Sequence, residues 1–145
     1  MALKASTGLR TAMLGTGSLV ASIPNPVLII YGGPEAATAD AAATGTPLCT
    51  ISANSTGAPL LFGAAAAGSL PKDPAQVWSG INSASGIATH FRIVSGTDDG
   101  TASTTQPRLQ GKCGTAGADL NMSSVNLTLN APQSVDAASI TLPTF

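Results

Sequence analysis

Short apolar runs rich in β-branched residues, each cut off by Gly, Pro, Asn or Asp, limit this chain to a β-sheet fold. Val27-Leu28-Ile29-Ile30-Tyr31 is a continuous apolar run stopped by Gly32-Gly33-Pro34. With no polar stripe of either period, it reads as a strand covered on both faces. Leu48 to Ser52 is a second strand and Leu60 to Ala65 a third, separated by a turn around Asn54 to Gly57. Gly68 to Pro74 reads as a loop, and Gln76 to Ser79 as a short strand. Ile87 to Val94 alternates strictly: Ile87, Thr89, Phe91 and Ile93 share one face, Ala88, His90, Arg92 and Val94 the other. In Arg108 to Cys113, Leu109 and Cys113 point inward with Gly111 between them, while Arg108, Gln110 and Lys112 point outward. Leu120 and Met122 continue inward, then the phase slips to Val125, Leu127 and Leu129, so Ser123-Ser124 marks a bulge or corner. A similar slip near Ala137-Ala138 separates Val135 from Ile140 and Leu142.

One helix precedes these strands. Leu9, Met13 and Leu14 carry its apolar face within about Ser6 to Ala21, Ser6 or Thr7 supplies the N-cap, and Gly15 and Gly17 keep it short. Pro24 and Pro26 then enforce an extended chain. Glu35 to Thr46 is Ala-rich and reads as a loop. The predicted fold is all-β: a two-sheet antiparallel sandwich of about eight strands, jelly-roll type, with a short N-terminal helix. Residues 1–24 form an N-terminal arm and helix, and 25–145 a single sandwich domain. An immunoglobulin-like sandwich is the alternative, although Trp78 lacks the flanking pattern of that fold.

Charge decides which functions are open to such a fold. Only 9% of residues are charged, against about 25% in ordinary domains. Ala, Gly, Ser and Thr supply 73 of the 145 residues, so the surface is built from small neutral groups. Charge keeps folded monomers apart, and its scarcity favours association. A formal net charge of -1, with six scattered basic residues, argues against nucleic-acid binding. The longest apolar run falls far short of the ~20 residues that span a membrane, and no secretory signal is visible. The expected site of synthesis is a reducing cytoplasm, with Cys49 and Cys113 as buried free thiols; the sequons at Asn54, Asn121 and Asn126 then carry no meaning.

No motif points to catalysis. The single histidine, His90, has no nucleophile and carboxylate beside it in sequence and reads as a solvated or interface residue. One His and two distant Cys do not make a zinc site. Asp98-Asp99-Gly100 lacks the rest of a calcium loop and reads as a polar turn. Glu35, Asp40, Asp73, Asp119 and Asp136 could meet in space as a carboxylate pair, but their neighbours favour turn and cap roles. Gly15-Thr16-Gly17 and Gly114 to Gly117 are not followed by the Lys of a phosphate loop. No cofactor, metal or enzymatic activity is expected.

Several phrases together resemble a family of small tailed-bacteriophage virion proteins. They are Ser6 to Arg10 followed by Met13-Leu14, Leu28 to Pro34, Ala39 to Thr46, Thr89-His90-Phe91-Arg92, Gly114 to Asn121, and Ile140 to Pro143. Size and strand count are also similar to the jelly-roll cement proteins that decorate phage heads. The resemblance implies a protein made in the bacterial host cytoplasm and carried on the outer capsid surface. There it would bridge major capsid protein subunits and pair with itself as a homodimer or homotrimer. Lys4 and Arg10, in the N-terminal segment, are the candidate capsid contacts. A tail or head–tail connector component shares the same composition. A carbohydrate-binding module is a further alternative, with Trp78 and Tyr31 nearly the only aromatic platforms.

Overall fold

The computed structural model describes residues 3–142. Its elements are β1 (Lys4–Ala5), α1 (Thr7–Gly15), α2 (Leu19–Ser22), β2 (Pro26–Gly32), β3 (Thr46–Ala53), β4 (Ser69–Pro71), β5 (Trp78–Ile81), β6 (Gly86–Ser95), β7 (Arg108–Gly114), β8 (Leu120–Asn121), β9 (Asn126–Leu127), β10 (Pro132–Val135) and β11 (Ser139–Thr141). Nine strands form one sheet, ordered β1-β7-β6-β2-β3-β5-β10, with β8 added to β7 and β9 to β6. Strands β4 and β11 form a second, small sheet. All pairings are antiparallel except β7 with β8. The chain is therefore all-β with two packed sheets and a short N-terminal helix, but the strands are divided unevenly between the sheets.

Three local expectations need correction. Leu60 to Ala65 is not a strand: Phe62 makes only an isolated bridge to Lys72, because Pro71 and Pro74 in the facing segment have no N–H to extend a ladder. The expected loop at Gly68 to Pro74 contains β4, which pairs with β11. The helix of Ser6 to Ala21 is two helices, broken at Thr16-Gly17 and restarted by Ser18, whose hydroxyl accepts from the Ala21 N–H.

Cross-strand register places the apolar residues in rows. Leu28 faces Ile51 on one side and Ile93 on the other, and Ile93 faces Leu109. In the next row Ile30 lies between Cys49 and Phe91, and Phe91 lies opposite Gly111. A Cβ at Gly111 would sit 2.8 Å from the Phe91 ring, so the missing side chain makes room for the aromatic. Leu9 of α1, Ile23, Leu60, Trp78, Leu120, Val135 and Ile140 close this core. Each fully buried Leu or Ile contributes about 1.5–3 kcal/mol.

The N-terminal segment is tied to the same body. Lys4 and Ala5 pair with Gln110 and Leu109. Ser6 caps α1 by accepting from the Leu9 N–H at 3.1 Å, and also accepts from the Arg108 N–H at 2.9 Å and donates to the Gln106 carbonyl at 2.7 Å. Gly8 lets the first turn lie against the chain at Thr105: a Cβ there would be 2.3 Å from the Thr105 carbonyl oxygen.

Candidate functional site

The second face of β2, β6 and β7 carries the residues expected to face solvent, and the structure buries all of them but Lys112, which is exposed as expected. Its rows are Gln110–Arg92–Ile29–Thr50 and Lys112–His90–Tyr31, with Arg108 opposite Val94. Arg92 is 1% exposed, and Arg108 and Gln110 are 0%. The outward direction read from the alternation is right, but that face is covered. Residues 33–45 and 96–107 fold over it, joined to each other by the Ala43 N–H donating to the Gly100 carbonyl and the Ser103 N–H donating to Asp40. Alternation gives the side of a strand and says nothing about what lies above it.

Every buried polar group in this layer needs a partner. Arg108 donates from Nε and Nη2 to the two carboxylate oxygens of Asp98, at 2.6 and 2.7 Å, and from Nη2 to the Thr101 carbonyl. Lys4 pairs with Glu35 at 3.0 Å. Gln110 donates to Glu35 and to the Ala36 carbonyl, and accepts from Arg92 Nε at 2.8 Å. Burial alone would raise the Glu35 carboxyl, but hydrogen bonds from Gln110 and Lys4 hold it below its ordinary value. Arg92 Nη2 donates to the Ala41 carbonyl at 3.0 Å. Arg92 Nη1 has no partner. Burial, and then the neighbouring Arg108, lowers the Arg92 pKa; a guanidinium still remains charged at neutral pH.

A cavity of about 190 Å³ lies at the edge of this layer, lined by Ile29, Tyr31, Pro47, Thr50, Arg92, Val94, Asp98, Asp99, Gly100 and Arg108. It sits where the covered part of the sheet face passes into an uncovered part: Thr50 and Pro47 of β3 are exposed. Strands β3, β5 and β10 continue the same face with Ser79 paired to Ser52 and Ser134, and Ile81 paired to Pro132.

His90 is not a solvated residue. It is 1% exposed, its ring stacks on Tyr31 at 5.2 Å between centroids, and Nδ1 lies 2.9 Å from the Thr89 hydroxyl. Burial lowers its pKa. Asp98-Asp99-Gly100 is a polar turn as expected: Asp98 accepts from the Gly100 N–H and Asp99 from Thr101. The other acidic residues are spent separately. Asp40 accepts from the N–H and hydroxyl of Thr7 at the start of α1, and those two bonds lower its pKa. Asp73 accepts from the Ala75 N–H, Asp119 from the Lys112 N–H, and Asp136 from the Ser134 hydroxyl. Among the described residues, no group of three or more His, Cys, Asp or Glu is placed to hold a metal ion, and no helix is long and apolar enough to cross a membrane.

Both cysteines are free thiols; Cys49 is buried and Cys113 half-buried. Burial pushes Cys49 up to about 11, and burial with the nearby Asp119 pushes Cys113 up to about 12, so neither is a thiolate at neutral pH. Of the candidate contact residues, Lys4 is held by Glu35 and the Ala36 carbonyl. Arg10 is exposed on α1, with Nη2 donating to the Thr7 hydroxyl at 3.0 Å. The aromatic candidates for a sugar platform are interior residues: Trp78 packs edge-on against Phe62, and Tyr31 lies under His90.

No protein family, curated protein or solved structure matches this chain.

Proposed function

We propose that this chain is a non-enzymatic structural protein of a tailed-phage virion, a cement or decoration protein that bridges major capsid protein subunits on the outer head surface. The observation that carries the reading is the uncovered strip of sheet over β3, β5 and β10. Thr50, Ile81, Pro132 and Ser134 are exposed on this strip, Ser79 lies half-buried beside Ser55, and the three strands carry no charged residue of their own, Asp136 standing at the end beside Ser134. Ile81 is half exposed, and β10 ends the sheet order. A neutral, low-relief face ending in a strand edge suits close backbone approach and strand addition by a partner. Each such contact is weak, and many copies on one shell act together by avidity. Self-association through the same kind of surface gives the homodimer or homotrimer that a bridge requires.

Quantitative mass spectrometry of purified virions is the direct test. A copy number equal to, or a simple fraction of, that of the major capsid protein is expected. A few copies per particle would move the chain to the tail or the head–tail connector, and absence from the particle would end the virion reading. Ile81→Asp is expected to abolish binding to mature shells while the free protein still folds, because Ile81 lies outside the core.

A further inference from the structure

Four side chains of the polar layer meet at one amide. Lys4 of β1 and Gln110 of β7 are cross-strand partners, so their side chains rise from neighbouring points on one face, with Cβ atoms roughly 4.5–5.5 Å apart. Lys4 Nζ lies 3.0 Å from Glu35 Oε1 and donates to the Ala36 carbonyl at 3.3 Å. Gln110 Nε2 donates to the same two oxygens, at 3.0 and 2.8 Å. The amine and the amide nitrogen therefore sit side by side on one carboxylate. At the other end of the amide, Arg92 Nε donates to Gln110 Oε1 at 2.8 Å. These partners fix which way the amide points, because Arg92 only donates, while the Glu35 carboxylate and the Ala36 carbonyl only accept.

Each position matches a role in acyl transfer. A lysine amine is a nucleophile after it gives up a proton, and Glu35 is within hydrogen-bond reach to take it. An amide under attack develops negative charge on its oxygen, and a buried guanidinium N–H already points at Oε1. The departing nitrogen must be protonated, and Nε2 is hydrogen-bonded to the same carboxylate. Gln110 is fully buried, which keeps water from competing at its carbonyl carbon. The Lys4 side chain is 34% exposed, which leaves the departing group a way out. Neighbours held this way react at a high effective concentration.

We propose that Lys4 and Gln110 join in an intramolecular isopeptide bond, with Glu35 as the proton carrier and Arg92 as the partner of the carbonyl oxygen. Lys4 Nζ, starting as an ammonium, passes a proton to Glu35 and attacks Gln110 Cδ. The carbonyl electron pair moves onto Oε1, beside Arg92. As the carbonyl re-forms, the Cδ–Nε2 bond breaks and its electrons stay on Nε2. Two protons in all leave Nζ, and Glu35 hands them to Nε2, which departs as ammonium. Glu35 ends as a carboxylate, and nothing is oxidised or reduced. The bond fastens the two-residue strand β1 to the sheet. It also closes a loop from Lys4 to Gln110, which lowers the entropy of the unfolded chain as any cross-link does. The chemistry does not rest on the virion reading.

The test is mass spectrometry of the full-length protein, incubated for several days at neutral pH either folded or in urea. The folded sample is expected to become lighter by one ammonia. Trypsin should then release a branched peptide that joins the segment ending at Arg10 to Leu109–Lys112. The sample in urea should keep its full mass, because unfolding separates the two side chains. Lys4→Arg keeps a cation beside Glu35 but removes the nucleophile, and should also keep its full mass. Glu35→Gln is expected to slow the loss about a hundredfold. If that variant does not fold, Lys4→Arg, at a half-exposed position, still decides the question. A native protein that stays folded at full mass, or a loss of ammonia that persists in Lys4→Arg, would overturn the bond. Loss of water in place of ammonia would make the Glu35 carboxyl the acyl donor and overturn the role of Gln110.

Discussion

The two faces of the central strands β2, β6 and β7 are both buried, but by opposite chemistry. One face is covered by apolar side chains alone, with Leu28, Ile30, Phe91, Ile93 and Leu109 in register. The other carries Arg92, Arg108, Gln110 and His90, and is sealed by two loops whose carbonyls and carboxylates accept most of its hydrogen bonds, Arg92 Nη1 alone of the arginine nitrogens being left without a partner. The apolar face tolerates local change in proportion to the volume lost. The polar face does not, because removing one partner strands the other away from water. Loop structure and sheet structure are thus mutually dependent on one side only.

The sharpest way to break this contrast is Asp98→Ala, which leaves the Arg108 guanidinium buried without its carboxylate. A loss of about 3–5 kcal/mol is expected in urea denaturation. The double change Asp98→Leu with Arg108→Met should cost clearly less than the single one; equal losses would mean that the pair is not coupled. Across the sheet, Leu28→Ala is expected to cost about 2–5 kcal/mol through the cavity it leaves. Pairing it with Asp98→Leu/Arg108→Met should give nearly additive losses, since the two sites lie on opposite faces. Ser6 joins the helix cap to β7, and Ser6→Ala should cost about 1–2 kcal/mol in the same assay.

The smallest expected effect is a pH dependence of the polar face. His90 has its pKa lowered from 6.5 by burial, so the folded protein holds the neutral ring while the unfolded chain takes up a proton. Its stabilising contribution is complete above pH 6.5 and is lost as pH falls below that value toward the folded pKa. Unfolding free energies measured between pH 7.5 and about 5 should fall more steeply for the native protein than for His90→Gln. Identical slopes would remove His90 from the account. Glu35 acts in the same direction at lower pH, with stability lost as pH falls below 4.5.

Much of the architecture was legible in the chain. Val27 to Tyr31 announced a strand covered on both faces, and β2 is one. The alternation assigned the facing correctly in His90 to Val94 and in Arg108 to Lys112, but a register shift beside Thr89 breaks it earlier in β6, leaving Ile87 exposed and turning Ala88 into the apolar core; Ser6 was readable as a cap. The candidate site was not legible. Arg92 and Arg108 look like solvent-facing residues because their parity is opposite to that of Phe91, Ile93 and Leu109. What covers them is a pair of loops, rich in Ala, Gly, Thr and Ser, with no periodicity to reveal where they fold.

By itself the sequence determined the β class, the facing of most side chains on the central strands, the capped start of the N-terminal helix and a low content of charge, because these follow from composition, local dihedral preference and side-chain period. Only the tertiary structure decided that nine strands join one sheet, that residues 33–45 and 96–107 close over Arg92 and Arg108, and that one guanidinium is left beside a cavity without a carboxylate. Those outcomes depend on contacts between segments tens of residues apart, for which a local pattern carries no signal.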